Sequence, residues 1–124
     1  MSEEENPKRF DLEERTFAFA KRTRAFVRSL PRTVCNIEDV KQLIRASGSV
    51  GANYIEANEA LGKKDFQMRI RISRKEAKEA RYWLRLVTSG EGGLIETERQ
   101  GLIQESTELM LIFAAILRKS QIVF

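Results

Sequence analysis

The sequence contains no histidine. Its absence excludes Ser-His-Asp and Cys-His nucleophile systems, imidazole general bases and most zinc sites, because each of these uses an imidazole. Chemistry based on carboxylates or lysines stays open, so the missing histidine weakens an enzymatic interpretation without closing it. We predict a non-enzymatic protein with no catalytic residue, no cofactor and no metal site.

Cysteine, proline and glycine are also scarce. Cys35 is the single cysteine, so no intramolecular disulfide can form and a reducing compartment is expected. Two prolines and seven glycines in 124 residues are too few turn formers for a many-stranded β protein. The 42% of hydrophobic residues is too high for a disordered chain. The length fits one domain with its own core.

Long apolar runs are missing as well. The longest, residues 109–117, contains nine residues, whereas a bilayer-spanning helix needs about 20. The first ten residues, MSEEENPKRF, are rich in acidic side chains and lack the apolar stretch of a secretory signal. These features predict a cytoplasmic protein with no membrane association.

Four segments have helical periodicity, with apolar residues at steps of three and four. They predict helices over residues 11–30, 37–61, 64–88 and 96–120. Short links between helices of similar length favour antiparallel neighbours. We therefore predict an all-α, up-down-up-down antiparallel four-helix bundle over residues 11–121, preceded by a flexible N-terminal tail, residues 1–10. A three-helix domain with a detached fourth helix is the less favoured alternative.

Polar residues and helix breakers indicate where these helices begin and end. Asp11, Asn36 and Thr97 are predicted N-caps, since their side chains can accept a hydrogen bond from a free N–H of the first turn. Pro31 is predicted to end the first helix. Gly62 is predicted to end the second as a C′ glycine.

The second helix contains a cluster of small and polar residues. Gly48 and Gly51 each cost up to about 1 kcal/mol relative to alanine, so we expect a neighbouring backbone to come close or the helix to kink. Ser49, Asn53 and Glu56 have the spacing i, i+4, i+7 and share one face. We expect Glu56 to be buried and paired with an arginine, lysine or serine of another helix. A structural hydrogen-bond network is favoured over a ligand pocket.

Positive charge is concentrated in the first and third helices. Residues 8–32 contain eight basic and three acidic residues, and residues 63–85 contain nine and three. Such a row can bind phosphates with release of counterions, or it can be a solvated face with i,i+4 ion pairs such as Lys75–Glu79. The candidate nucleic-acid-binding residues are Lys64, Arg71, Lys75, Lys78, Arg81 and Arg85 of the third helix and Arg22 of the first.

Two further residues are open to more than one interpretation. Cys35 falls in the predicted link between the first two helices and is interpreted as an ordinary thiol. Trp83 lies between Arg81 and Arg85 in the sequence. It can stack on a nucleobase, but an aromatic anchor at a subunit interface is favoured.

Three motifs resemble a known family. They are S-V-x-A-N-x-x-E-A at residues 49–57, K-D-F at residues 64–66 and E-A-x-E-x-x-x-W-L at residues 76–84. This pattern resembles the four-helix-bundle proteins encoded in intervening sequences of 23S ribosomal RNA genes. The resemblance gives an architectural role to the residues that match the motifs: Ser49, Asn53, Glu56, Asp65, Phe66, Glu76 and Trp83.

The resemblance implies partners that the residues alone do not. Proteins similar to this one form ring-like homopentamers. A related branch comprises accessory proteins of diversity-generating retroelements, which bind nucleic acid and a reverse transcriptase through a basic surface. We therefore expect a self-associating accessory protein that binds RNA or DNA through basic helix faces with weak sequence specificity. The alternative is an oligomeric protein–protein adaptor that engages an acidic partner. An enzyme that uses Glu56 and a lysine is least favoured.

Overall fold

The chain folds into four α-helices that pack around a shared core. The computed structural model describes residues 7–90 and 93–123, and within these ranges it contains no strand. The helices are α1 (Pro7–Arg28), α2 (Val34–Asn58), α3 (Lys63–Leu86) and α4 (Gly93–Val123). None of them has an apolar stretch long enough to cross a bilayer. The predicted all-α four-helix bundle is confirmed.

Contacts between neighbouring helices show that the bundle is antiparallel. Along α1 and α4, Arg15 contacts Glu105 while Arg22 contacts Glu98, so rising residue numbers in one helix meet falling numbers in the other. The same reversal joins α2 to α3 and α3 to α4. Each helix contacts two neighbours, and α3 packs most extensively, on α2 and α4. Helices α1 and α3 lie on opposite corners.

The apolar stripes predicted from the sequence form the core. The largest fully buried side chains include Phe19 of α1, Leu43 of α2, Ile70 of α3 and Phe113 of α4. Two buried threonines in α1 donate their hydroxyls to carbonyls of the preceding turn, as when Thr16 Oγ1 donates to Leu12 O at 2.8 Å. A small polar side chain can therefore face the core without an unmet hydrogen bond.

Small residues let α2 come close to both of its neighbours. A Cβ atom added to Gly51 would lie 2.8 Å from Thr16 Oγ1 of α1, closer than such atoms can approach. On the other side, Ser73 Oγ of α3 donates to the carbonyl of Val50 at 3.0 Å. At Gly51 the close neighbour is the Thr16 side chain and not the expected backbone, since the Thr16 carbonyl carbon would lie 3.7 Å from the added Cβ. At Gly48 the nearest atom would be 3.5 Å away, which is an ordinary contact.

Helices α1 and α4 begin earlier than predicted. Helix α1 starts at Pro7, so Asp11 lies within it and is not its N-cap. Proline suits the first turn because its missing N–H has no helical partner there. Residues 1–6 of the proposed tail lie outside the described residues. Helix α4 starts at Gly93, and Thr97 donates its hydroxyl to the Gly93 carbonyl at 2.8 Å instead of capping the helix.

Asn36 is not the N-cap of α2 either. Helix α2 begins at Val34, and Thr33 caps it by accepting a hydrogen bond from the N–H of Asn36 at 3.1 Å. Asn36 is buried and joins two links: its amide donates to Pro31 O and Thr88 O, and its Oδ1 accepts from the N–H of Thr88. Its side chain therefore holds the α1–α2 link against the end of α3.

Two more predictions about the links need correction. Helix α2 ends at Asn58, and Gly62 directly precedes α3 in extended conformation, so it does not end α2 as a C′ glycine. Cys35 lies in the first turn of α2, where its thiol is exposed, and not in the preceding link. Helix α4 continues through Val123, beyond its predicted end, and Phe124 lies outside the described residues.

Replacing Gly51 with alanine should destabilise the fold. The added methyl group has no room beside Thr16, and overpacking costs roughly 1–3 kcal/mol, more than the gain of up to about 1 kcal/mol in helix propensity. Gly48→Ala is the matched control and should be neutral or stabilising, because its neighbour is the flexible end of Arg24. Urea unfolding followed by circular dichroism measures both. Equal stability of the two variants would contradict the close approach.

Candidate functional site

Five of the predicted cationic residues form one exposed row along α3. This α3 basic row consists of Lys64, Arg71, Lys75, Lys78 and Arg85, all exposed. The row faces outward because Ile70, Ala77 and Leu84 occupy the opposite side of the helix and are fully buried. None of its members forms an ion pair with another described residue.

The glutamates of α3 turn away from this row toward α2. Glu79 accepts a hydrogen bond from Arg45 Nη2 at 2.6 Å. Glu76 is nearly buried, and its Oε1 lies 3.4 Å from Arg45 Nη1 without a directed hydrogen bond. The predicted pair between Lys75 and Glu79 is absent, since Arg45 occupies Glu79. One arginine of α2 therefore pairs with both glutamates of the α3 segment that carries the row.

Three glutamates of α4, Glu98, Glu105 and Glu108, face α1, on the side away from α3. Arg15 donates to Glu105 at 2.7 and 2.9 Å and to Glu108 at 2.7 Å. Arg22 pairs with Glu98 at 3.1 Å. The pKa of Arg15 is raised, chiefly by its hydrogen bond to Glu105. The pKa of Glu108 is lowered, first by a hydrogen bond from Gln104 and then by Arg15.

The surface between α3 and α4 is consequently a basic groove. Its α3 wall contains Arg71, Arg74, Lys75 and Lys78, and its α4 wall contains Met110, Leu111 and Ala114. The groove has a volume of about 630 Å³. Leu111 is 65% exposed at its rim. Arg118, one turn beyond Ala114 on α4, is also exposed. The cations of the α3 wall thus face an apolar α4 wall, and no acidic side chain of the described residues lines the groove.

Two of the predicted cations are placed differently. Arg81 is half-buried and donates to Thr107 Oγ1 of α4 at 3.2 Å, so it links the two helices beside the row. Arg22 lies on α1, at the opposite corner of the bundle, and is paired with Glu98. The structure brings together five of the seven candidates and separates Arg22 from them.

Comparison with known proteins identifies the family. The profile of the 23S rRNA-intervening sequence protein family matches residues 8–114. The chain belongs to the 23S rRNA-intervening sequence protein family. Among solved structures, the bundle is similar to a protein of unknown function from the S23 ribosomal protein family of Bacteroides thetaiotaomicron VPI-5482, with a TM-score of 0.72 and 28% sequence identity. The similarity covers 90% of this chain and 98% of that one. No curated protein matches.

The motif residues of this 23S rRNA-intervening sequence protein lie mainly where α2 meets α3. Asn53 donates to the Ser49 carbonyl at 2.9 Å and accepts from Arg69 of α3 at 3.0 Å. The prediction for Glu56 is wrong: it is exposed and forms no ion pair with a described residue. The face it shares with Ser49 and Asn53 flanks the core, so only Asn53 reaches α3. The nearly buried carboxylate is Glu76.

The exposed aromatic of α3 is Tyr82 and not Trp83. Trp83 is half-buried toward α2, and its Nε1 lies 3.5 Å from Glu79 Oε1. Tyr82 is 55% exposed and contacts the Trp83 ring edge-on, with centroids 5.0 Å apart. The sequence carried a signal for Tyr82, since it follows Arg71 by eleven residues and Lys78 by four. By contrast, Arg74 and the α4 wall could be assigned to the groove only from the packing of α3 on α4.

Two glutamates of α4 make stability depend on pH. The pKa values of Glu96 and Glu108 are lowered from 4.5, chiefly by hydrogen bonds from Gln100 and Gln104 respectively. A carboxyl group whose pKa is lowered in the folded state stabilises the protein at pH values above its ordinary pKa. That contribution is lost as the pH falls through the pKa of the folded state.

We therefore expect the urea midpoint to fall from about pH 5 downward, and less steeply in Glu108→Gln. Glu14→Gln is the control, because Glu14 is exposed on α1 and takes part in no described interhelical ion pair. Identical pH profiles for the wild type and Glu108→Gln would contradict this assignment.

Proposed function

We propose that this family member is a non-enzymatic accessory protein that binds RNA or DNA through the α3 basic row. The observation that carries the proposal is that no described acidic side chain forms an ion pair with the cations of the row. Five exposed cations line one helix, while Glu76 and Glu79 pair with Arg45 on the side of that helix that faces α2. A solvated helix face of mixed charge would keep those glutamates among the cations.

The chemistry of the row fits phosphates better than base edges. Lysine and arginine side chains neutralise phosphates, and the release of condensed counterions supplies affinity that depends on salt and only weakly on sequence. The row contains neither Asn nor Gln, the amide side chains that read adenine, so it can read a base edge only at guanine, through its arginines and lysines. RNA and DNA are therefore both expected ligands, with weak sequence specificity.

Reversing charge in the row should abolish binding. We expect Arg71→Glu, Lys75→Glu and Lys78→Glu together to remove binding of labelled RNA and DNA on filters, while the helical circular dichroism signal stays unchanged. The wild-type affinity should fall steeply with salt: for each phosphate contacted, log K should fall by about 0.9 per tenfold rise in salt concentration for duplex DNA and by about 0.7 for a single strand.

A variant with the same change in net charge serves as the control. Lys21→Glu, Arg28→Glu and Arg32→Glu alter three exposed residues of α1 and the α1–α2 link, none of which belongs to the row. This variant should retain most of its affinity. Equal loss in both variants would mean that net charge, not the row, governs binding. No wild-type binding at about 50 mM salt, or binding indifferent to salt, would reject the proposal and favour the acidic protein partner.

Self-association, a reverse transcriptase partner and a cytoplasmic location stay predictions. The first two rest on the family resemblance, and a ring would multiply the basic row around its circumference and raise avidity. We expect light scattering at micromolar concentration to give a mass five times that of the chain. A clean monomer would contradict the pentamer without affecting the charge of the row.

A further inference from the structure

An exposed aromatic side chain interrupts the cations of α3. Tyr82, Arg85 and Leu86 line a shallow hollow of about 200 Å³ on the outer face of the helix. Tyr82 and Leu86 are 55% and 49% exposed. Because these apolar surfaces face water beside a guanidinium group, the hollow differs from the rest of the row.

The register of the helix places Tyr82 within the line of charges. Arg71, Lys75, Lys78, Tyr82 and Arg85 follow the spacing i, i+4, i+7, i+11, i+14, which keeps them on one face over about 21 Å at 1.5 Å per residue. Tyr82 thus has a cation roughly one turn away on either side, about 6 Å before it and about 4.5 Å after it along the axis.

The Tyr82 ring is supported from one side by packing. The Trp83 ring meets it at 83°, with centroids 5.0 Å apart. Trp83 in turn lies beside Glu79, which Arg45 of α2 holds at 2.6 Å. The exposed part of the tyrosine therefore rests on a fixed aromatic neighbour, as a stacking platform requires.

We infer that the row is built for a single strand, with one unpaired base stacked on Tyr82 and the adjacent phosphates held by Lys78 and Arg85. This inference rests on the proposed function. A duplex keeps its base faces stacked inside and offers α3 only its backbone and groove edges, whereas a single strand can present a base face to an aromatic side chain while its phosphates follow the cations. An acidic protein would satisfy the cations but would leave Tyr82 without a flat partner.

The test compares a short single strand with the duplex of the same sequence at one salt concentration. Stacking contributes about 1–3 kcal/mol per base, so Tyr82→Ala should weaken single-strand binding by roughly 5- to 150-fold. Duplex binding should change little, and Tyr82→Phe should behave as the wild type. Trp83 is the single tryptophan of the chain, and its fluorescence should change when the single strand, but not the duplex, binds.

Phe17→Ala provides a matched control. Phe17 is an exposed aromatic on α1, with Lys21 Nζ 5.6 Å from its ring centroid, on the opposite corner of the bundle. Its removal should leave single-strand affinity unchanged. If duplex and single strand bind with equal affinity and Tyr82→Ala does not change the single-strand affinity, the inference is wrong, but the proposal of nucleic-acid binding is not contradicted. If neither nucleic acid binds, the proposed function itself fails.

Discussion

Ion pairs between helices determine which cations of this bundle remain available. Arg15 and Arg22 of α1 take up Glu98, Glu105 and Glu108 of α4, and Arg45 of α2 takes up two glutamates of α3. The exposed pair Arg22–Glu98 contributes only about 0–1 kcal/mol to stability. The larger effect of these ion pairs is on the distribution of charge, because they draw acidic side chains to two sides of the bundle and leave the outer face of α3 basic.

Periodicity was sufficient to predict the four helices, because each apolar stripe is regular enough to define a buried face, and the short links between them predicted their antiparallel order. Helix ends were predicted less well. Asn36 looked like a cap from its local sequence, yet its amide bonds to Thr88, which is 52 residues away, and Thr33 caps α2 instead. Gly62 separates two helices and was assigned to the wrong one. For Asn36, the deciding factors were a partner distant in sequence and a neighbouring residue, Thr33, that can also cap a helix. For Gly62, the local sequence did not show which of the two helices it adjoins.

The candidate site shows the same limit. The exposed row of α3 could be predicted from spacing alone, since its members lie opposite the apolar stripe. Spacing could not show whether a given cation already has a partner. Arg22 meets Glu98, and Arg81 meets Thr107, only because the helices pack together. Glu56 was predicted to be buried, but Glu76 is the nearly buried carboxylate, since the two residues lie at different angles to the α2–α3 contact.

The motif residues and the residues of the proposed binding surface lie on different sides of α3. The motif residues Asn53 and Trp83 lie on the α2–α3 side, where they fix the packing, while the basic row and Tyr82 face outward. The motif residues therefore help to fix the helix packing of this chain, and the outward residues carry the proposed binding. The most direct test is covalent labelling of lysines with and without bound nucleic acid, read by mass spectrometry. Protection of Lys64, Lys75 and Lys78, with Lys21 and Lys41 unaffected, is the predicted result; uniform protection, or protection confined to Lys21, would contradict the account.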